Sequence, residues 1–257
     1  MKYITGFFMT WGNFCTLPCP CKLWDGKYKS IMLGFLPAIG LIIGLIWAAA
    51  YFAMVFLGLP YLVVSFLVTF LLFALCGFMH LDGFMDCSDA IMSRRPLEDR
   101  QRILKDSHTG AFAVVSVVFL ILGYYSCIST AISGGIDFVN MILICVVSRS
   151  VSGLEVLISK PMGTSQYVEM SDAEKAEKAT KKEGIMLIVI QLLAFLALGF
   201  WCSSYYAGTA MVCGAAAVVA LIAVTYGKKQ LGGMNGDIAG YGIVWGELAG
   251  VAALIFC

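Results

Sequence analysis

Seven apolar runs, at residues 30–58, 61–79, 111–130, 137–158, 184–201, 207–226 and 238–257, leave this chain few folds to choose from. About 18 apolar residues suffice to cross the hydrocarbon core of a bilayer as a helix. Inside that core only helices and closed barrels satisfy every backbone polar group. A barrel strand alternates apolar and polar side chains, whereas these runs are apolar on all faces. The sequence therefore predicts an all-α, polytopic membrane bundle of about seven transmembrane helices, formed by a single integral membrane domain over residues 1–257. Composition agrees: the chain is 60% hydrophobic and 13% charged, against about 45–50% and about 25% in soluble domains.

Charge placement supports the count. With seven crossings, segments 1–29, 80–110, 159–183 and 227–237 fall on one side of the membrane and carry 16 of the 17 lysines and arginines. The remaining one, Arg149, lies inside a span. The positive-inside rule then predicts a cytoplasmic N-terminus and an external C-terminus. No basic run is long enough for a duplex, so nucleic acid is excluded as a partner; the lipid bilayer is the expected one.

Segment 1–29 mixes aromatic and polar residues, with Pro18 and Pro20 as helix breakers, and reads as interfacial. Pro37 is a candidate kink in the first span. Segment 159–183 alternates Glu and Lys and reads as a polar loop containing a solvated helix. The ten cysteines do not suggest a disulfide framework in a chain of this composition. Cys15, Cys19 and Cys21 carry only a weak metal-binding spacing. No cleavable signal peptide is expected.

Segment 80–110 concentrates the chemistry. Asp82, Asp86 and Asp89 stand at i, i+4 and i+7, which places all three on one helical face. Adjacent carboxylates at a membrane boundary repel one another and are partly desolvated, so they call for a cation. Hard oxygen donors suit Mg2+, or Mn2+, which keep waters and bind phosphates as well. The alternative is an acidic, solvated helix end. Gly83 permits close approach of a ligand or a neighbouring helix.

Pro96 suits the first turn of a further helix, on which Leu97, Ile103 and Leu104 share a membrane-facing side. Asp106 and Ser107 are candidate N-caps for the next span, with Asp106 also a candidate fourth metal ligand. The turn through Ser107, His108 and Gly110 would present backbone N–H groups to an anion, with Lys105 as a point charge for phosphate. His80 and His108 are candidate general bases, His80 the nearer to the acids. In the Gly-rich loop 228–237, which holds Gly233, Asp237 is a cap or ligand candidate. Arg149, Glu155 and Glu247 are ionisable groups at membrane depth. An Arg149–Glu247 pair or a substrate contact would satisfy them.

Three ordered motifs, HLDGFMDCSDA at 80–90, ILKDSHTG at 103–110 and GGMNGDIAG at 232–240 followed by Glu247, resemble those of the cobalamin synthase family, the adenosylcobinamide-GDP ribazoletransferases. TLPCP at 16–20 and FLPAIGLIIG at 35–44 are similar to that family's N-terminal region. Ala90, Ala113 and Val244 depart from the family's usual glycine, glycine and glutamate. The first motif is also loosely similar to the acidic signature of CDP-alcohol phosphotransferases, which makes a phospholipid synthase the second reading. A secondary transporter using Arg149, Glu155 and Glu247 is the third, although the acids gather at one interface and no internal repeat is visible.

The resemblance implies a Mg-dependent phosphotransferase in the cytoplasmic (inner) cell membrane, with its site facing the cytoplasm. A hydroxyl of α-ribazole, or of its 5′-phosphate, would attack the diphosphate of adenosylcobinamide-GDP and release GMP. Asp82, Asp86, Asp89 and Asp106 would hold Mg2+ (or Mn2+). His80, Asp82 and Lys105 would be catalytic. Gly83, Ser107, His108, Gly110, Arg149, Gly233, Asp237 and Glu247 would bind substrate. A homo-oligomer is compatible with this and not required by it.

Overall fold

The computed structural model describes residues 1–163 and 174–257, with residues 174–179 described in their backbone alone. The described residues fold into helices, with one isolated parallel bridge between Pro161 and Met234. In chain order these are α1 (Lys2–Phe14), α2 (Lys29–Gly34), α3 (Leu36–Phe56), α4 (Tyr61–Ala74), α5 (Met79–Met92), α6 (Leu97–Ile103), α7 (Ala111–Gly134), α8 (Phe138–Ile158), α9 (Glu174–Cys202), α10 (Tyr206–Leu231) and α11 (Gly236–Ala253). Among the described residues, six helices are long and apolar enough to cross a membrane: α3, α7, α8, α9, α10 and α11. The seventh candidate is the pair α4 and α5, bent by 85° between them.

That bend is the main departure from the expected spans. The run 61–79 was expected to be one helix, yet α4 stops at Ala74. At 1.5 Å per residue its 14 residues reach only about 21 Å. Gly77 (φ 62°) and Phe78 (φ 59°) take the left-handed region, which turns the chain and starts α5 on a new axis. A helix end inside apolar surroundings needs partners for its last carbonyls. Segment 15–17 supplies them: the Thr16 backbone N–H donates to Leu75 O at 2.9 Å, and its hydroxyl donates to Ala74 O at 3.0 Å. The expected interfacial segment is thus a helix, α1, followed by a strap that docks onto the bundle.

Other boundaries differ less. The first span breaks at Phe35, and Pro37 occupies the first turn of α3 rather than a mid-helix kink. The third span continues to Gly134, α9 begins before 184, and α10 runs on to Leu231, so the Gly-rich loop shrinks to 232–235. Part of the solvated helix expected in 159–183 lies outside the described residues. Where the segment is described again, from Glu174, it is already α9.

Helix α8 is the hub. Most of its residues are buried, and it packs against α3, α9, α10 and α11. Gly40 and Gly44, four apart on α3, let the two backbones touch: a Cβ at Gly40 would lie 2.6 Å from Cys145 O, and one at Gly44 2.8 Å from the Ile142 Cα. Small residues at this spacing are how membrane helices gain dispersion contact, since lipid offers no hydrophobic drive between them. At the same depth, Arg149 of α8 donates to Glu247 of α11 at 2.5 Å, to Cys145 O at 3.1 Å and to Cys76 Sγ at 3.0 Å. The Arg149 side chain is 0% exposed and that of Glu247 3%. The guanidinium thereby joins α8, α11 and the α4–α5 bend.

Candidate active site

The face of α5 that carries no charge is buried. Gly83, Phe84, Cys87 and Ala90 pack inward, and the Phe84 ring stacks on Tyr241 of α11 at 5.6 Å. This anchoring turns the other face outward with Asp82 exposed and Asp86 and Asp89 partly buried. The expected helical stripe of carboxylates is therefore present.

Gly83 faces the backbone of α11, the neighbouring helix of the two alternatives. A Cβ there would lie 2.9 Å from the Asp237 Cα and carbonyl oxygen. The close approach brings the first turn of α11, with Asp237, against the acidic helix. Asp86 stands within electrostatic range of Asp82, Asp237 and Asp89. None of these four carboxylates takes part in an ion pair among the described residues. Asp89 lies at the start of α7, where a Cβ on Gly110 would overlap its carboxylate. There it meets the partial positive charge of a helix N-terminus.

Two expected caps are corrected. The N-cap of α7 is Gly110, without a side-chain cap. Asp106 instead closes its own turn: its Oδ1 accepts the His108 backbone N–H at 3.0 Å and faces His108 Nδ1 at 2.7 Å. These contacts, the backbone N–H first, hold the Asp106 carboxyl below its ordinary range. Asp106 lines a surface pocket with Glu98, Gln101, Arg102 and Lys105, and none of the α5 acids lines it. Lys105, Ser107 and His108 are exposed. At α11 the cap is Asn235, whose Oδ1 accepts from the Ile238 N–H at 2.9 Å while its Nδ2 donates to Asp237 Oδ2 at 2.7 Å. Asp237 is the residue that Asn235 orients, not the cap.

The loop before α11 is clamped from several sides. Met234 N donates to Lys160 O and Met162 N to Met234 O, both at 2.9 Å. A Cβ on Gly233 would press on Met162 N at 2.7 Å, so this glycine serves backbone packing. Lys228 pairs with Glu155, and Ser159 joins the pair, tying α8 to α10 just below the loop. The apolar side of α6, expected to face lipid, covers this junction instead: Leu104 and Ile103 cluster with Leu231, Met234 and Ile238. Gln101 donates to Leu231 O at 2.8 Å.

Behind the acidic stripe lies a cavity of about 110 Å³ between α1, α5, α8 and α11, lined by Phe14, His80, Asp82, Ser152 and Asp237 among others. His80 is buried and stacks on Phe14 with ring centres 6.4 Å apart. His80 thus shares a cavity with two of the acids, Asp82 and Asp237. Phe14, Asn235 and Ser152 were missed. Asn235 had a signal, since Asn followed two residues later by an acid is a capping pattern; Phe14 and Ser152 had none.

Among the described residues, no three Asp, Glu, His or Cys side chains converge tightly enough to enclose an ion. The donor set nevertheless fits Mg2+ in its chemistry. The oxygens are hard and, among the described residues, form no ion pair, and Mg2+ commonly takes only one or two carboxylates, with waters and substrate phosphates completing its shell.

The match to known proteins spans the chain. Residues 6–255 match the model of the family described as "Cobalamin-5-phosphate synthase". A protein of Clostridium perfringens (strain SM101 / Type A) named adenosylcobinamide-GDP ribazoletransferase is 36% identical over 96% of this chain and 95% of its own. Proteins of the same name from Clostridium botulinum (strain Alaska E43 / Type E3) and Geobacillus kaustophilus (strain HTA426) are each 30% identical, over 96% and 94% of this chain and 95% and 92% of their own. No solved structure matches the chain. With its acidic helix, its capped Asn-Gly-Asp turn and a family match from end to end, this chain belongs to the cobalamin-5-phosphate synthase family.

Proposed function

We propose that this membrane protein is an adenosylcobinamide-GDP ribazoletransferase that joins adenosylcobinamide-GDP to α-ribazole, or to its 5′-phosphate, and releases GMP. The observation that carries the reading is the set of four carboxylates, Asp82, Asp86, Asp89 and Asp237, that form no ion pair among the described residues and stand beside a cavity holding His80. Carboxylates left without protein cations suit a substrate that arrives with both phosphate and counter-ion. Asp82, Asp86 and Asp89, joined by Asp237, would hold Mg2+, with Mn2+ a substitute. Bound there, the ion would offset charge on the diphosphate and on departing GMP.

The chain's own residues do the rest. A ribose hydroxyl of the acceptor forms a new O–P bond to the phosphorus that carries the cobinamide. The P–O bond to GMP breaks, and its electron pair leaves with GMP. His80 takes the hydroxyl proton. Lys105 and the 107–110 turn meet outlying phosphate from the exposed side. Arg149 and Glu247 close on each other inside the bundle and hold its helices in register. That same closure weighs against a transport site at this depth. The bias of basic residues supports an acidic face turned to the cytoplasm, in the cell membrane.

Purified protein in lipid should release GMP from adenosylcobinamide-GDP only when α-ribazole and Mg2+ are both present. Release of GMP at the same rate without acceptor would rule the transfer out.

A further inference from the structure

Three serines sit in one stretch of α8, and they behave differently. The Ser148 and Ser150 hydroxyls donate back to their own helix, to Cys145 O at 3.3 Å and Val146 O at 2.7 Å. Ser152 does not. Its Oγ is fully buried and, among the described residues, has no hydrogen-bond partner. The Ser148 carbonyl one turn back is the ordinary acceptor for such a hydroxyl, yet Ser152 lines the inner cavity with His80, Asp82 and Asp237. A buried hydroxyl without a partner costs about 1–3 kcal/mol, so Ser152 has a hydrogen bond to offer to a molecule in the cavity.

Size limits the ligand. A cavity of about 150 Å³ accommodates benzene, whereas this one measures about 110 Å³. Neither a corrin nor a two-ring base fits; the edge of a five-membered sugar does. The walls agree with such an edge. Leu36, Val156 and Ile243 offer apolar contact to ring carbons, and His80, Asp82, Ser152 and Asp237 offer polar contact.

We infer that the inner cavity is the ribose subsite for the acceptor, and that Ser152 is a substrate-binding residue holding one of its ring hydroxyls while the neighbouring hydroxyl faces His80. The inference rests on the ribazoletransferase reading and adds the residue that orients the nucleophile. Because the acceptor's 5′ position can carry phosphate, the group entering the cavity is the 2′,3′ edge.

Equilibrium binding on the full-length protein in nanodiscs tests it, using α-ribazole and its 2′-deoxy and 3′-deoxy analogues against wild type and Ser152→Ala. The expected result is a Kd for α-ribazole about tenfold higher in Ser152→Ala, the size of one lost hydrogen bond, with the Kd for adenosylcobinamide-GDP unchanged. One deoxy analogue should bind wild type about tenfold more weakly than α-ribazole does, yet bind Ser152→Ala as well as α-ribazole does. Equal α-ribazole binding by the two proteins overturns the inference. So does an equal loss for all three acceptors together with the cobinamide substrate, the mark of a merely structural serine. A wild type that binds α-ribazole in this pattern without releasing GMP refutes the transfer reaction and leaves the subsite standing. A wild type with no affinity for α-ribazole overturns both.

Discussion

Two groups of charge lie within this bundle, and they obey opposite rules. Arg149 and Glu247 are buried at mid-membrane and satisfy each other. Asp82, Asp86, Asp89 and Asp237 gather at one end of the bundle and, among the described residues, satisfy no protein cation. Taking a charge out of water costs several kcal/mol, and pairing repays it only when both partners are held well. The first group has met that cost within the protein. The second has not, which is what a site for charged ligands looks like before they arrive. Charge in a membrane protein is thus informative chiefly through what it fails to pair with.

The comparison can be broken at either end. Glu247→Gln leaves the Arg149 guanidinium buried without its counter-charge, so stability should fall by about 3–5 kcal/mol. The double variant Arg149→Met with Glu247→Met should recover much of that loss in thermal unfolding. Failure to recover would show that the pair does more than neutralise itself. At the other group the expectation reverses. Asp86→Asn removes one of several repelling carboxylates, so its midpoint should hold or rise while GMP release falls about 10²–10³-fold. Loss of fold in this variant would make Asp86 structural.

Metal linkage gives the next effect. Mg2+ at about 100 times its Kd should stabilise wild type by about 2.7 kcal/mol, and Asp86→Asn should lose most of that gain in a thermal titration. Gly83→Ala presses a methyl group on the Asp237 backbone, at a cost of about 1–3 kcal/mol. Its activity should fall further than its stability, because the acids are displaced. The smallest effect concerns Asp106, whose carboxyl is held below its ordinary value by His108. A depressed folded value stabilises above the unfolded one, about 3.9, and that contribution disappears as pH falls through the folded value. Asp106→Asn should therefore flatten the acid limb of the stability profile only slightly, and leave the metal linkage intact.

Much of the architecture is legible in the sequence, because a span is a local property: length and hydropathy mark α3, α7, α8, α10 and α11 within a few residues. The stripe of Asp82, Asp86 and Asp89 follows from helical periodicity alone. What periodicity misses is set by partners far along the chain. The run 61–79 is apolar throughout, and it breaks because Thr16 reaches carbonyls 58 and 59 residues away. Asp237 joins the acidic helix because Gly83 lets two backbones touch. Asp106, close to the acids in sequence, turns to His108 instead. Ser152 looks like any serine in a helix until a cavity is seen beside it. Local pattern thus exposes the chemical types available, and long-range packing decides which of them meet.

Helix α5 owes its tilt to a strap that contributes no acid of its own. The carbonyls at the α4 end are silenced by Thr16, and the guanidinium of Arg149 reaches Cys76 in the same bend. Aim and reactivity therefore reside in different parts of the polypeptide. Substitutions near the N-terminus can re-point the carboxylates without touching one of them, and variants of Thr16 belong in the same class as variants of the aspartates it steers.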